Sequence, residues 1–233
     1  MLILFDIDAT LLRTEGAGLK AMHEAGRELF GEQFSMEGIE FSGRLDSLIF
    51  ADLMRINNVR DGETHHDRFR QSYGRHLERL LSAQSCARLL PGVRELVHEL
   101  ADCEHACIGL LTGNYPETGR MKIRAAGLDP DLFAVAAWGC EGKSRRDLPP
   151  VAMRRHAERI GRSLPAEQVV IIGDTPHDID CAKAHGCRSI GVATGMFSTD
   201  ALAGCGADLV VPDLSGKAFL LQWLIGKSQA LSI

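Results

Sequence analysis

Short apolar runs alternate along this chain with longer amphipathic stretches. The runs at 2–5, 107–111, 133–137, 169–172, 189–192 and 209–211 are aliphatic and rich in β-branched residues. They lack the apolar–polar alternation of a half-exposed strand, so they predict strands buried on both faces. The stretches 91–100, 150–160 and 176–184 each begin with proline in a first-turn position, and the first keeps an i, i+3, i+4 apolar stripe; all three predict helices. Strand and helix in alternation predict an α/β fold, a doubly wound, Rossmann-like parallel sheet with helices on both faces.

One interval breaks the alternation. About a hundred residues separate the first strand from the second, far more than a crossover needs. Within it, residues 16–83 show no strand pattern but three helical ones, at 18–30, 46–56 and 66–81. This predicts an inserted all-helical cap domain at 16–83, with 1–15 and 84–233 forming the α/β core.

Composition narrows the function classes. The chain has 233 residues, 45% of them apolar, and a formal net charge of −5. A substantial core can form, and no basic footprint of a nucleic-acid binder is present. The apolar runs are too short to span a bilayer, and the N-terminus shows no signal-peptide pattern. The seven cysteines fit no disulfide framework; Cys103, His105 and Cys107 lie close together but lack a second ligand pair at zinc spacing. Reduced thiols and a cytoplasmic location are expected, with no nucleic acid or membrane as partner and a monomer or homodimer as the assembly.

Ligands of open α/β sheets bind beyond the carboxyl ends of the strands, and four of those ends carry polar groups. Asp6 and Asp8, two apart on an emerging strand, address one space. Neighbouring carboxylates repel unless a cation or a shared proton compensates them, which suits Mg²⁺ binding or a division between nucleophile and acid/base; as turn residues they would do neither. Thr112, Gly113 and Asn114 offer a hydroxyl and backbone donors for phosphate oxygens, or a plain turn. Lys143, Arg145 and Arg146 supply cations before the helix near 150. Asp174 and Asp178 stand at a strand-to-helix junction as hard oxygen ligands, although a helix cap also explains Asp178.

In this order, DxDxT, Thr-Gly-Asn, a basic residue and GDxxxD, the motifs resemble the haloacid dehalogenase-like hydrolase superfamily. The helical insert is similar to that of its phosphoglycolate-phosphatase-like branch. The resemblance implies Asp6 as a nucleophile forming an aspartyl-phosphate and Asp8 as general acid/base. It implies Mg²⁺ held by Asp6, Asp174 and the backbone carbonyl of Asp8, with Asp178 as helper, and a phosphate clamp at Thr112, Gly113 and Asn114. Asp8 favours a phosphatase over a dehalogenase, whose leaving halide needs no proton. The family's lysine usually precedes a proline, a dipeptide missing here, so Lys143, Arg145 and Arg146 compete for its role; Arg145 and Arg146 lie nearer the expected place, Lys143 keeps the residue type, and Arg145 is favoured. Ala9 stands where the family commonly has glycine. From the cap, Gly43 and Arg44 are the expected substrate contacts, while His65 and His66 read as solvated. The implied function is Mg²⁺-dependent hydrolysis of a small phosphorylated metabolite. A β-phosphoglucomutase-like phosphotransferase and a non-catalytic binding member of the fold are the alternatives.

Overall fold

The computed structural model describes residues 1–83 and 86–226. In chain order the elements are β1 (Leu2–Phe5), β2 (Leu12–Arg13), α1 (Ala17–Phe30), α2 (Asp46–Ile56), α3 (His66–Ala83), β3 (Arg88–Leu89), α4 (Val93–Ala101), β4 (Cys107–Leu111) and α5 (Pro116–Ala125). They continue with β5 (Val135–Ala137), α6 (Leu148–Ile160), β6 (Val169–Gly173), α7 (Pro176–Ala184), β7 (Arg188–Val192), α8 (Thr199–Gly204), β8 (Leu209–Val211) and α9 (Lys217–Ile225).

Six strands form one sheet in the order β5-β4-β1-β6-β7-β8, and every pairing is parallel. The doubly wound α/β fold read from the sequence is therefore the fold observed. Successive residues of β1 feed opposite faces of the sheet, as strand geometry requires. Ile3 and Phe5 join a core with Val97, Leu110 and Ile172, while Leu2 and Leu4 join another with Leu111, Ala152 and Ile171. The 133–137 run yields a shorter strand than expected. Pro130–Leu132 winds into a 3-10 turn, and Phe133 packs edge-on against Phe5 instead of pairing.

The helices between β2 and β3 bury a cluster of their own, including Met22, Phe50, Leu53, Phe69 and Leu77, as expected of a helical insert. Tyr115 of the sheet domain joins that cluster, and Leu45 joins the core. The strands β2 and β3 pair antiparallel where the chain leaves and re-enters the sheet domain, a ribbon too short to show in the apolar pattern. The expected re-entry at residue 84, and the segment 227–233 assigned to the core, lie outside the described residues. No helix among the described residues is long and apolar enough to cross a membrane.

Register sets the height of the site. Phe5 stands level with Leu110 and with Ile172, so Asp6, Leu111 and Gly173 end their strands together. Asp6, Thr112 and Asp174 consequently converge at the carboxyl edge, where the strand order reverses around β1.

Candidate active site

The Asp6 amide donates to Ile172 O at 2.9 Å, which carries the sheet pairing one residue past β1 and fixes the Asp6 backbone. Its carboxylate is buried and meets Arg145 Nη2 at 2.9 Å. The same guanidinium reaches Asp178 Oδ1 at 2.6 Å and donates to the carbonyls of Leu111 and Gly43. Of the competing cations, Arg145 is the one that enters the site.

Lys143 does not, which corrects its standing as a competing candidate. Its side chain is exposed, and its amide caps Asp147. Arg146 pairs on the surface with Asp180. The reason is local: Ser144 and Asp147 form a capping box around a 3-10 turn at Arg145–Asp147, which throws the three basic side chains in different directions.

Asp178 caps its helix and also faces the acidic cluster. Its Oδ2 accepts from the amide and hydroxyl of Thr175, closing the capping box of α7, while its Oδ1 faces inward. Asp6, Asp174 and Asp178 can place ligand atoms within 4.8 Å of one another, and no other group of three potential ligands is found among the described residues, Cys103, His105 and Cys107 included. Burial pushes Asp174 up to about 8, with the Asp6 and Asp178 charges adding to it. Burial raises Asp6 to about 6 although Arg145 pulls the other way. Three buried carboxylates facing a single arginine lack positive charge, and Asp178 Oδ1 has only its ion pair with Arg145 for a partner. The donor set is all hard oxygen, so it fits a divalent cation.

Asp8 leans the other way. Its side chain is about half exposed, and Oδ2 accepts from Asn114 Nδ2 at 2.8 Å and from Lys122 Nζ at 2.6 Å. Lys122 also donates to Asn114 Oδ1 at 2.6 Å, and Asn114 Nδ2 to Thr112 Oγ1 at 2.9 Å. The side chain of Asp8 thus stays out of the acidic cluster, leaving only its backbone carbonyl for the metal contact expected of it. Ala9 adopts φ 57, the left-handed region in which a Cβ costs about 1 kcal/mol. Thr194 Oγ1 donates to its carbonyl at 2.5 Å and supports that turn.

Lys122 went unrecognised in the sequence. It lies on α5, whose sequence PETGRMKIRA shows no clear apolar stripe, and a lysine on a helix ordinarily reads as solvated. Here it is buried.

The insert is docked onto this site by backbone groups. Gly43 has φ 69, its carbonyl meets Arg145, and a Cβ there would lie 2.7 Å from Thr175 Oγ1. Gly113 O accepts from the Asp46 amide at 2.8 Å, and a Cβ on Gly113 would collide with Arg44 O. Asp46 Oδ2 in turn accepts from the Tyr115 amide at 3.1 Å. Arg44 lines the cleft, but its guanidinium is held by Asp52 at 2.7 Å, so its charge is spent within the insert. The expectation for the histidines is corrected too. His66 is half-buried with Nε2 2.8 Å from the Tyr115 hydroxyl, and His65 packs edge-on against Phe30.

A family model described as haloacid dehalogenase-like hydrolase matches residues 3–192. The chain belongs to the haloacid dehalogenase-like hydrolases. Solved structures share the fold across nearly the whole length. A hydrolase from Pseudomonas syringae is 22% identical, covers 95% of this chain and 98% of its own, and superposes with a TM-score of 0.68. The β-phosphoglucomutase of Clostridium difficile is 18% identical, covers 98% of both chains and gives 0.68. A predicted phosphoglycolate phosphatase from Haemophilus somnus is 20% identical, covers 95% of this chain and 97% of its own and gives 0.65. No curated protein matches the chain. In this haloacid dehalogenase-like hydrolase, Asp6, Asp8, Thr112, Gly113, Asn114, Arg145 and Asp174 line one cleft of about 750 Å³, whereas Lys143, Arg146 and the buried Asp178 do not.

Proposed function

We propose that the chain is an Mg²⁺-dependent phosphatase that hydrolyses a small phosphorylated metabolite through an aspartyl-phosphate. The observation that carries this reading is the contrast between two carboxylates on one strand end. Asp6 is buried beside Arg145 and the acidic cluster, whereas Asp8 is half-exposed and held by Lys122 and Asn114. Two environments for two acids are what a nucleophile and a separate acid/base require.

Asp6, Asp174 and the backbone carbonyl of Asp8, with Asp178 beside them, are the groups that would hold Mg²⁺. Bound there, it would draw charge from the phosphoryl oxygens. An Asp6 carboxylate oxygen attacks phosphorus as the bond to the leaving oxygen breaks, and Asp8 gives that oxygen its proton. Asp8, now a base, then takes a proton from water; the water oxygen bonds to phosphorus, and the acyl phosphate opens to regenerate Asp6. Arg145 holds Asp6 in line for attack and neutralises Asp178. Thr112 and the Asn114 side chain form the wall beside the transferring group. Lys122 and Asn114 hold Asp8 toward the leaving oxygen.

All seven thiols are unpaired, which supports a reducing, cytoplasmic setting. The test is hydrolysis of phosphate esters with Mg²⁺ by the full chain and by Asp6→Asn. Release of phosphate by the parent and its loss in a folded Asp6→Asn protein is the expected result; equal rates would refute the mechanism. Repeating the assay on sugar phosphates with and without a bisphosphate activator separates hydrolysis from phosphomutase transfer.

A further inference from the structure

Part of the cleft's lining is apolar. Leu19 and Met22 from α1, Phe41 and Ile49 from the insert, and Met196 and Phe197 from the loop after β7 line the same cleft as Asp6 and Asp8. Four large hydrophobic residues are exposed among the described residues, and two of them, Leu19 at 45% and Met196 at 77%, belong to this lining. Exposed apolar side chains gathered around a concave site mark a surface that a ligand covers.

Three of the four cations that line the cleft are committed elsewhere. Arg145 faces Asp6 and Asp178, Lys122 faces Asp8, and Arg44 faces Asp52. Arg13 remains, but it is exposed and donates to Thr194 O. On the insert side, Glu40 and Asp46 add acids, not cations. A leaving group bearing a carboxylate or a second phosphate would find only the exposed Arg13 to neutralise it, against several acids. One rich in hydroxyls would forfeit hydrogen bonds to water against Leu19, Met22 and Phe41.

We propose that the ester this cleft selects carries an uncharged, predominantly apolar alcohol, an alkyl or aryl monophosphate in preference to a sugar phosphate or a phosphorylated hydroxy acid. The inference rests on the phosphatase reading and deepens it. The phosphoryl group sits at the acidic end, and the alcohol's carbon skeleton lies along Phe41, Leu19 and Met196.

The experiment measures kcat/KM with Mg²⁺ for ethyl, butyl and hexyl phosphate, whose leaving alcohols differ little in acidity, beside 2-phosphoglycolate and glucose 6-phosphate. Burial of the chain is expected to raise kcat/KM by about fourfold per added methylene. Met196→Ser, at an exposed position that tolerates change, and Phe41→Ser are expected to lower the rate on hexyl phosphate more than on ethyl phosphate. A flat series, or a preference for either polar ester, overturns this proposal while leaving the phosphatase reading in place. No turnover of any ester, with Asp6→Asn indistinguishable from the parent, overturns both.

Discussion

Lys122 Nζ lies 2.6 Å from Asp8 Oδ2, and that buried lysine has Asn114 Oδ1 as its other partner. In the proposed mechanism the acid that protonates the leaving oxygen needs a fixed direction, and this contact would supply it from a helix remote in sequence. Lys122→Met is expected to slow hydrolysis of an alkyl phosphate by about 10–100-fold, within the range of general-acid catalysis. The loss on p-nitrophenyl phosphate should be much smaller, because that leaving group departs without a proton. Comparing kcat on the two esters checks this, since a purely structural defect would depress both alike.

Arg145 and Lys143 differ by two positions and should differ sharply on replacement. Arg145→Met strands Asp178 as a buried carboxylate and is expected to cost about 3–5 kcal/mol, together with activity. Lys143→Met, on an exposed loop, is expected to stay within about 0.5 kcal/mol. Denaturant titration of the metal-free proteins measures both.

The acidic cluster predicts metal-linked stability. Three buried carboxylates within ligand reach repel one another until a cation arrives. Mg²⁺ is therefore expected to raise Tm, by about 2.7 kcal/mol of stabilisation at a hundredfold excess over Kd. Chelation should remove both this gain and the activity, and Asp174→Asn should abolish the Mg²⁺ response in a thermal melt.

Asp46 sets a pH dependence of stability away from the acidic cluster. Burial pushes it up to about 7, with Lys122 opposing, from an ordinary value near 3.8. The folded state therefore holds a proton that the unfolded chain releases, and stability falls as pH rises from about 4 to 7, then levels. Asp46→Asn keeps an acceptor for the Tyr115 amide and removes the charge. It is expected to gain at least about 1 kcal/mol over the parent at pH 8 and little at pH 4, read from denaturant titrations at the two values. An equal difference at both would contradict the assignment.

The strands and their chemistry were legible in the chain because both are local properties. A strand buried on two faces must be apolar throughout, so Leu2–Phe5 and Val169–Gly173 stand out, and the polar residues that end them, Asp6 and Asp174, mark the sheet's reactive edge. The alternation of strands and helices places Asp6, Thr112 and Asp174 at one edge, and the parallel register sets Asp6 level with Leu111 and Gly173, the residues just before the other two. Partner choice was not local. A 3-10 turn decided that Arg145 and not Lys143 points inward, and the packing of α5 against the Asp8 turn buried Lys122. The ion pair with Asp52 occupies the charge of Arg44, although the residue lines the cleft. Periodicity assigns a side chain to a face of its own element, but the charge it meets comes from another element brought there by tertiary packing. Ala9 shows the same division: its identity is plain in the sequence, while its left-handed φ of 57 is imposed by the turn that aims Asp8 at Lys122.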